Sequence, residues 1–219
     1  DPDQKYYINP FLSYEQYNLE LQNQTFGEST SFRVRQFQSG IEAGRNLDNW
    51  GRMSLRLFYS TGKNSRRLGI PSPYEGDFND SGYSISLAAD TLDSINFPTK
   101  GRYGNLRYRS ALTALGADQD FQTLHMEAVK PYTWGKFTLI PRLHLGGTLS
   151  GEPGPENLFI LGGFLNLSGY QPGDISGQYA ALGELIYMYR LDSASSAFSI
   201  PLYAGGSLEI GGAWNDLDD

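Results

Sequence analysis

The sequence predicts an all-β chain: a transmembrane antiparallel β-barrel domain whose strands show one face to lipid and the other to a wet lumen. Three observations carry that reading. The first is strict two-residue alternation, clearest where Met53, Leu55, Leu57 and Tyr59 oppose Arg52, Ser54 and Arg56, the pattern of a half-buried strand and not of a helix. The second is composition: 15 Tyr, 12 Phe, 3 Trp and 26 Gly suit a β-rich chain with tight turns. No run approaches the ~18 apolar residues of a spanning helix. The third is that short and long connections alternate along the chain, the asymmetry of periplasmic turns and outer loops.

Taken in order, residues 5–26 begin with Tyr6, Ile8, Leu12 and Tyr14 in one phase and continue with Tyr17, Leu19 and Leu21 in the other. A phase change reverses the faces of a strand, so a turn is expected around residues 12–16, and the polar residues 27–30 form a short loop. Residues 32–46 and 52–62 form a hairpin across residues 47–51. Residues 63–82, carrying Arg66, Arg67, Pro71, Pro73, Asp77 and Asp80, read as a long polar outer loop. Tyr83, Ile85, Leu87 and Ala89 then alternate with Ser84, Ser86 and Asp90, and Phe97-Pro98-Thr99-Lys100-Gly101 reverses the chain, with proline fixing φ and glycine allowing a positive one. An alternating strand follows over residues 102–115. There and in the next two strands, Leu106, Tyr108, Leu112, Leu124, Met126, Ala128, Leu139, Leu143 and Leu145 point out. Asn105, Arg107, Arg109, Thr123, His125, Glu127, Thr138, Arg142 and His144 point in. After a long loop of about residues 150–177, Tyr179, Ala181, Gly183, Leu185, Tyr187 and Tyr189 oppose Glu184 and Arg190. A tight connection at residues 192–197 leads to the last strand. The count is about ten strands.

The long loop is apolar and glycine-punctuated, whereas unstructured loops are polar; it is therefore expected to fold back into the barrel. Its run Glu156-Asn157-Leu158-Phe159, Gly162-Gly163 and Leu167-Ser168-Gly169-Tyr170 resembles the sixth extracellular loop of the outer-membrane assembly and translocation barrels. That superfamily, of the bacterial surface antigen type, includes the BamA and TamA insertases, the two-partner secretion transporters and the patatin-fused autotransporters of type V secretion. Asn96-Phe97-Pro98-Thr99-Lys100-Gly101 is similar to the family's Phe-Pro-Thr-x-Gly turn. Pro201-Leu202-Tyr203, Leu208-Glu209-Ile210-Gly211 and Trp214 are similar to its strand after the loop. The motifs run in the family's order and cover residues 96–214.

The resemblance implies a barrel of about sixteen strands in full, of which residues 1–219 are expected to be a partial domain with strands missing at both ends. It also implies an in-folded loop with Gly162, Gly163, Leu167, Ser168, Gly169 and Tyr170 as its motif. Two positions depart from the pattern. The family's tip arginine is Ser168, and the aspartate it pairs with corresponds to Glu209. Glu209 is accordingly expected to take a cation from Arg142 or Arg190, with docking resting on Tyr170 and backbone contacts.

The function implied is the secretion or insertion of polypeptides, foremost as the translocator of a patatin-like autotransporter, next as a BamA- or TamA-type insertase. A passive porin or structural barrel is the reading of another class. Partners implied are outer-membrane lipid, a polypeptide client or fused passenger domain, and periplasmic domains on the same chain. Lys and Arg total 17 against 24 Asp and Glu, a net charge of −7, which leaves no basic footprint for nucleic acid.

Cysteine is absent, excluding thiol chemistry and disulfides. Gly147-Thr148-Leu149-Ser150-Gly151 lacks the spacing of a nucleophile elbow, so no enzyme and no cofactor are expected in this segment. Arg107, Arg109, Glu127, Arg142, Glu184, Arg190 and Glu209 share lumen parity and are the expected charged network. His125 and His144 read as lumen histidines, since a metal site would need Glu127 to complete it. The numbering is expected to begin in a mature or excised segment, since Asp1 opens the sequence without a secretory leader, and residues 215–219 read as an acidic turn.

Overall fold

A computed structural model describes residues 5–22, 29–69, 71, 74–191 and 202–216. Alternation, interrupted by turn residues, folds the chain into one antiparallel meander of β1 (Tyr6–Gln22), β2 (Ser29–Leu47), β3 (Gly51–Leu68), β4 (Gly76–Asp90), β5 (Tyr103–Ala111), β6 (Phe121–Val129), β7 (Tyr132–Trp134), β8 (Phe137–Ser150), β11 (Tyr179–Leu191) and β12 (Leu202–Trp214). These ten strands form a single sheet in which sequence neighbours are spatial neighbours; β7 is a short extension paired only to β8. Between β8 and β11 the long loop carries its own two-stranded ribbon, β9 (Phe159–Leu161) and β10 (Ile175–Gly177).

The outer face is a continuous apolar band. Ile8, Leu12, Ile41, Met53, Leu55, Leu57, Ile85, Leu87, Leu106, Leu143, Leu145, Leu185, Leu208 and Ile210 are all exposed on it. An exposed apolar surface of that extent is stable only against lipid or a partner. The opposite face carries Ser54, Ser60, Ser84, Thr123, Thr138, Thr148 and Glu184, all buried, and the loop between β8 and β11 lies over part of it. The expected orientations of β3, β4, β6, β8 and β11 agree with this arrangement.

Three expectations need correction. No turn interrupts residues 12–16: β1 pairs with β2 without a break from Tyr6↔Arg45 to Gln22↔Ser29. The change of phase is a change in what the inner face meets. Tyr17 and the fully buried Leu19 pack inward with Val34, Phe78 and the loop residue Ile160. The polar segment 63–82 is mostly strand, since β3 runs to Leu68 and β4 starts at Gly76, paired from Asn64↔Gly76 onward; a ladder protruding beyond lipid has no need of an apolar face. The strand expected to reach residue 115 stops at Ala111, and a 3-10 turn at Thr113–Leu115 ends on Gly116 at φ 105°. The short loop expected at residues 27–30 falls partly, and the connection at 192–197 wholly, outside the described residues; Ser29 and Thr30 belong to β2.

The turn after β4 is built on Asp93. Its carboxylate accepts from Thr99 N at 2.8 Å, Thr99 Oγ1 at 2.5 Å and Lys100 N at 3.1 Å, and Gly101 closes the turn at φ 90°. Burial slightly disfavours the charged carboxylate, but these hydrogen bonds outweigh it and hold Asp93 below its ordinary pKa. A depressed folded pKa contributes stability that is present above the unfolded value and lost as pH falls through the folded one.

Two outcomes follow. The amide resonances of Thr99 and Lys100 titrate with a midpoint below the ordinary aspartate value of about 3.9, and the titration vanishes in Asp93→Asn; a midpoint at or above that value removes Asp93 as the organiser of the turn. Leu55→Arg costs about 2–4 kcal/mol by denaturant titration in lipid if the site lies near mid-membrane, and a cost near zero defeats the assignment of the lipid face.

Candidate lumen wall and docked loop

Charged residues on the inner face meet because the register is integral. Glu42 and Arg56 are direct cross-strand partners and join through Arg56 Nη2–Oε2 at 2.6 Å, with Tyr7 OH donating to the other carboxylate oxygen at 3.0 Å. Arg109 pairs with the buried Asp80 and lies 4.2 Å from the centroid of the Phe58 ring. Arg142 and Glu184 are direct partners of β8 and β11, with Arg142 Nε 3.4 Å from Glu184 Oε2. Glu127 faces His144 across β6 and β8.

The expected network is therefore several separate clusters. Arg142, Glu184 and Glu127 belong to one, Arg109 to another, and Arg107 donates weakly to Ser86 Oγ at 3.4 Å. Arg190 lies opposite Tyr203 near the far end of β11 and joins none of these clusters among the described residues. Glu42 carries no signal in the sequence reading, and Asp80 and Glu156 stand there without an inner-face role. Asp80 falls in the segment expected as a loop, yet it shares parity with Phe78, Ser84 and Ser86, the signal by which the strand extends to it.

The loop crosses this wall at close quarters. Tyr17 OH donates to Glu156 O at 3.1 Å, and Asn64 Nδ2 donates to Glu156 Oε2 at 2.8 Å. Burial pushes the Glu156 carboxyl above its ordinary pKa. Phe159 passes directly over β8: a Cβ at Gly146 would stand 2.2 Å from the Phe159 ring, so any larger residue there would push the ring aside. Leu161 and Leu167 then bury against Ala180 and Leu182.

The tip is a knot of local hydrogen bonds. Gly162 N donates to Asn166 O at 2.7 Å, Gly163 N to Tyr170 O at 2.9 Å and Asn166 N to Gly163 O at 3.0 Å. Gly162 and Gly163 take φ of 120° and 103°, and Leu165 and Leu167 are left-handed at 54° and 66°, a cost of order 1–2 kcal/mol per residue. Gly169 lies outside the left-handed region, so it is not the residue that turns the tip.

Ser168 makes the dock. Its N–H donates to Glu209 Oε2 at 2.7 Å and its hydroxyl to Oε1 at 2.8 Å, while Ser207 Oγ donates to Oε1 at 2.7 Å. The same Ser168 hydroxyl accepts from Leu165 N at 3.0 Å. The expected Arg142 or Arg190 partner for Glu209 is wrong. Glu184 stands between Arg142 and Glu209 in the register and intercepts the guanidinium, while Arg190 is six residues further along, roughly 20 Å at ~3.3 Å per residue.

The expectation that Tyr170 anchors the loop fails too. Tyr170 is 52% exposed, with no side-chain polar partner among the described residues, and Phe164 is 88% exposed; of the apolar side chains at the tip only Leu167, at 8%, is buried.

A family model described as the Omp85 superfamily domain matches residues 6–212. Among solved structures the chain is similar to BamA from Haemophilus ducreyi lacking POTRA domains 1-3, with a TM-score of 0.75 at 15% sequence identity. The match covers 96% of this chain and 47% of that one, so the chain spans about half the length of that structure. None of the curated proteins matches the chain.

Ser168→Ala removes a donor to Glu209 and the acceptor of Leu165 N, weakening the dock by about 1–2 kcal/mol. Limited proteolysis of the folded protein reads this as faster cleavage within residues 162–174, with Tyr170→Ala close to the unmodified protein. The reverse order of the two variants refutes the assignment of the dock to Ser168.

Proposed function

The chain belongs to the Omp85 superfamily, and from that premise we propose that it forms wall and loop of an outer-membrane barrel that moves or inserts polypeptides. The observation that carries the reading is the loop between β8 and β11, folded across the polar face and fixed to β12 through Ser168 and Glu209. A diffusion pore keeps its lumen open. Here Phe159, Ile160, Leu161 and Leu167 of the loop pack on the wall, and the hydrogen bonds to Glu209 hold the tip beside it. The work is mechanical: a polypeptide is handled by strand edges and lumen surface, and we propose that this segment carries no catalysis and needs no cofactor for it.

Our finer reading is the translocator of a patatin-like autotransporter, in which the barrel serves a passenger on the same chain. It rests on the tip Leu167-Ser168-Gly169-Tyr170, which fastens to Glu209 through a serine hydroxyl and a backbone amide in place of an ion pair. The partners are then outer-membrane lipid, the passenger, and periplasmic domains on the same chain.

Conditional depletion of the protein separates the readings. Retention of its own passenger on the periplasmic side, with an otherwise unchanged outer-membrane protein profile, is the expected result. General loss of other outer-membrane barrels overturns the autotransporter reading in favour of an insertase. Large, steady single-channel currents from the purified protein overturn translocation altogether in favour of a porin.

A further inference from the structure

His125 and Glu127 are two apart on β6 and so share its inner face, and His144 faces Glu127 directly from β8. That placement converges three donors on one point. His125 Nε2 lies 3.7 Å from Glu127 Oε1, His144 Nδ1 lies 3.8 Å from the same oxygen, and one donor atom of each residue falls within 4.8 Å of the others. An ion with bonds of about 2.0–2.1 Å needs donors roughly 3.4 Å apart, so closure takes on the order of 1 Å. The three side chains are 24–31% exposed, so packing does not lock them, and χ rotation is the movement that would supply it.

A second observation comes from behind His144. Glu184 has a fully buried side chain, and its Oε2 has no well-formed hydrogen bond, with Arg142 Nε at 3.4 Å and His144 Nε2 at 3.3 Å. A buried, unsatisfied carboxylate oxygen is costly. A neutral His144 that carries its proton on Nε2 can donate to that oxygen, and the same tautomer leaves the Nδ1 lone pair directed at Glu127. Carboxylate, histidine and metal in that order is the arrangement by which proteins orient an imidazole ligand. Arg142, 3.4 Å from Glu184, holds the carboxylate in place. Arg107 is the register partner of His125 and lines the same cavity, with its guanidinium leaning to Ser86 on β4 at 3.4 Å.

We propose that His125, Glu127 and His144 form a binding site for a zinc-class divalent ion on the lumen wall, with Glu184 as the positioning residue for His144. Two imidazoles and one carboxylate favour borderline ions such as Zn2+ over Ca2+ or Mg2+, which take oxygen sets. Three protein donors leave a fourth position open, and it faces a cavity of about 580 Å³ bounded by the wall and by loop residues 156–161. His125 also stacks on Phe159 with ring centroids 6.1 Å apart. The ion thus joins β6 to β8 at the place where the loop crosses them.

The test uses the full-length protein, refolded in detergent without a polyhistidine tag, with heat-modifiable gel migration confirming that each variant is folded. Equilibrium dialysis against Zn2+ alone is expected to give one ion per chain, and Co2+ the visible absorption of a four-coordinate site. His125→Gln and His144→Gln each weaken binding more than about tenfold, and Glu184→Gln by about 10–100-fold with the stoichiometry kept. No bound ion at about 0.1 mM free Zn2+, or affinity unchanged in the folded His125→Gln/His144→Gln double variant, overturns the site.

Discussion

In lipid every backbone N–H and C=O must find its partner within the protein, and the rest of the structure follows from that constraint. It fixes continuous ladders, such as the unbroken pairing of β1 with β2 from Tyr6↔Arg45 to Gln22↔Ser29. Continuous ladders fix parity, and parity sorts Leu55 and Leu57 to lipid and Arg56 to the inside. Once parity is set, inner residues on neighbouring strands meet in register whether or not they attract. The opposite charges Glu42↔Arg56 and Arg142↔Glu184 exploit this. Glu184↔Glu209 is the exception, two carboxylates in register. It is tolerable because each has other donors: Glu184 has Arg142 on one side, and Glu209 has Ser168 and Ser207.

The loop answers a second demand, that the inner face be covered without a second layer of secondary structure. Its left-handed Leu165 and Leu167 carry a conformational cost, and they persist because the tip is over-determined. Internal hydrogen bonds shape it, Leu167 is buried against Ala180 and Leu182, and Ser168 binds Glu209. The wall is cut to receive it. Gly146 clears the path of the Phe159 ring, and the inner face of β12 offers Gly205, Ser207, Gly211 and Ala213 around Glu209, none of which projects far enough to hold the loop away.

Much of this was legible in the sequence wherever one face met lipid and the other met polar surroundings. Alternation placed β3, β6, β8 and β11, and the glycine-punctuated apolar run marked the loop as packed. It failed where the two faces cease to differ. In the second half of β1, Tyr17 and Leu19 are apolar on the inner face because Ile160 of the loop covers them, and alternation read the result as a turn. Toward their joined ends β3 and β4 are mostly polar apart from Phe78 and read as a loop, which hid Asp80 and with it the partner of Arg109. At the site, motif order located Ser168 and Glu209 but not their bond. The resemblance implies a cation for Glu209, because arginine stands at the tip of the resembling loops, and parity alone does not say that Glu184 lies between.

The exchange of arginine for serine at the tip changes the kind of hold and not merely its partner. A long guanidinium reaches its carboxylate from a distance and leaves the backbone of the loop free to vary. Ser168 has one short bond of reach, so its own N–H must come to 2.7 Å of Glu209, and the whole tip is drawn onto β12. Neutral donors to a carboxylate depend on alignment, whereas an exposed ion pair is screened by salt. The dock is therefore governed by whether Leu165, Leu167 and the two glycines keep Ser168 in place. Strain in the tip and binding to the wall are then one equilibrium, and whatever relaxes the tip releases the loop.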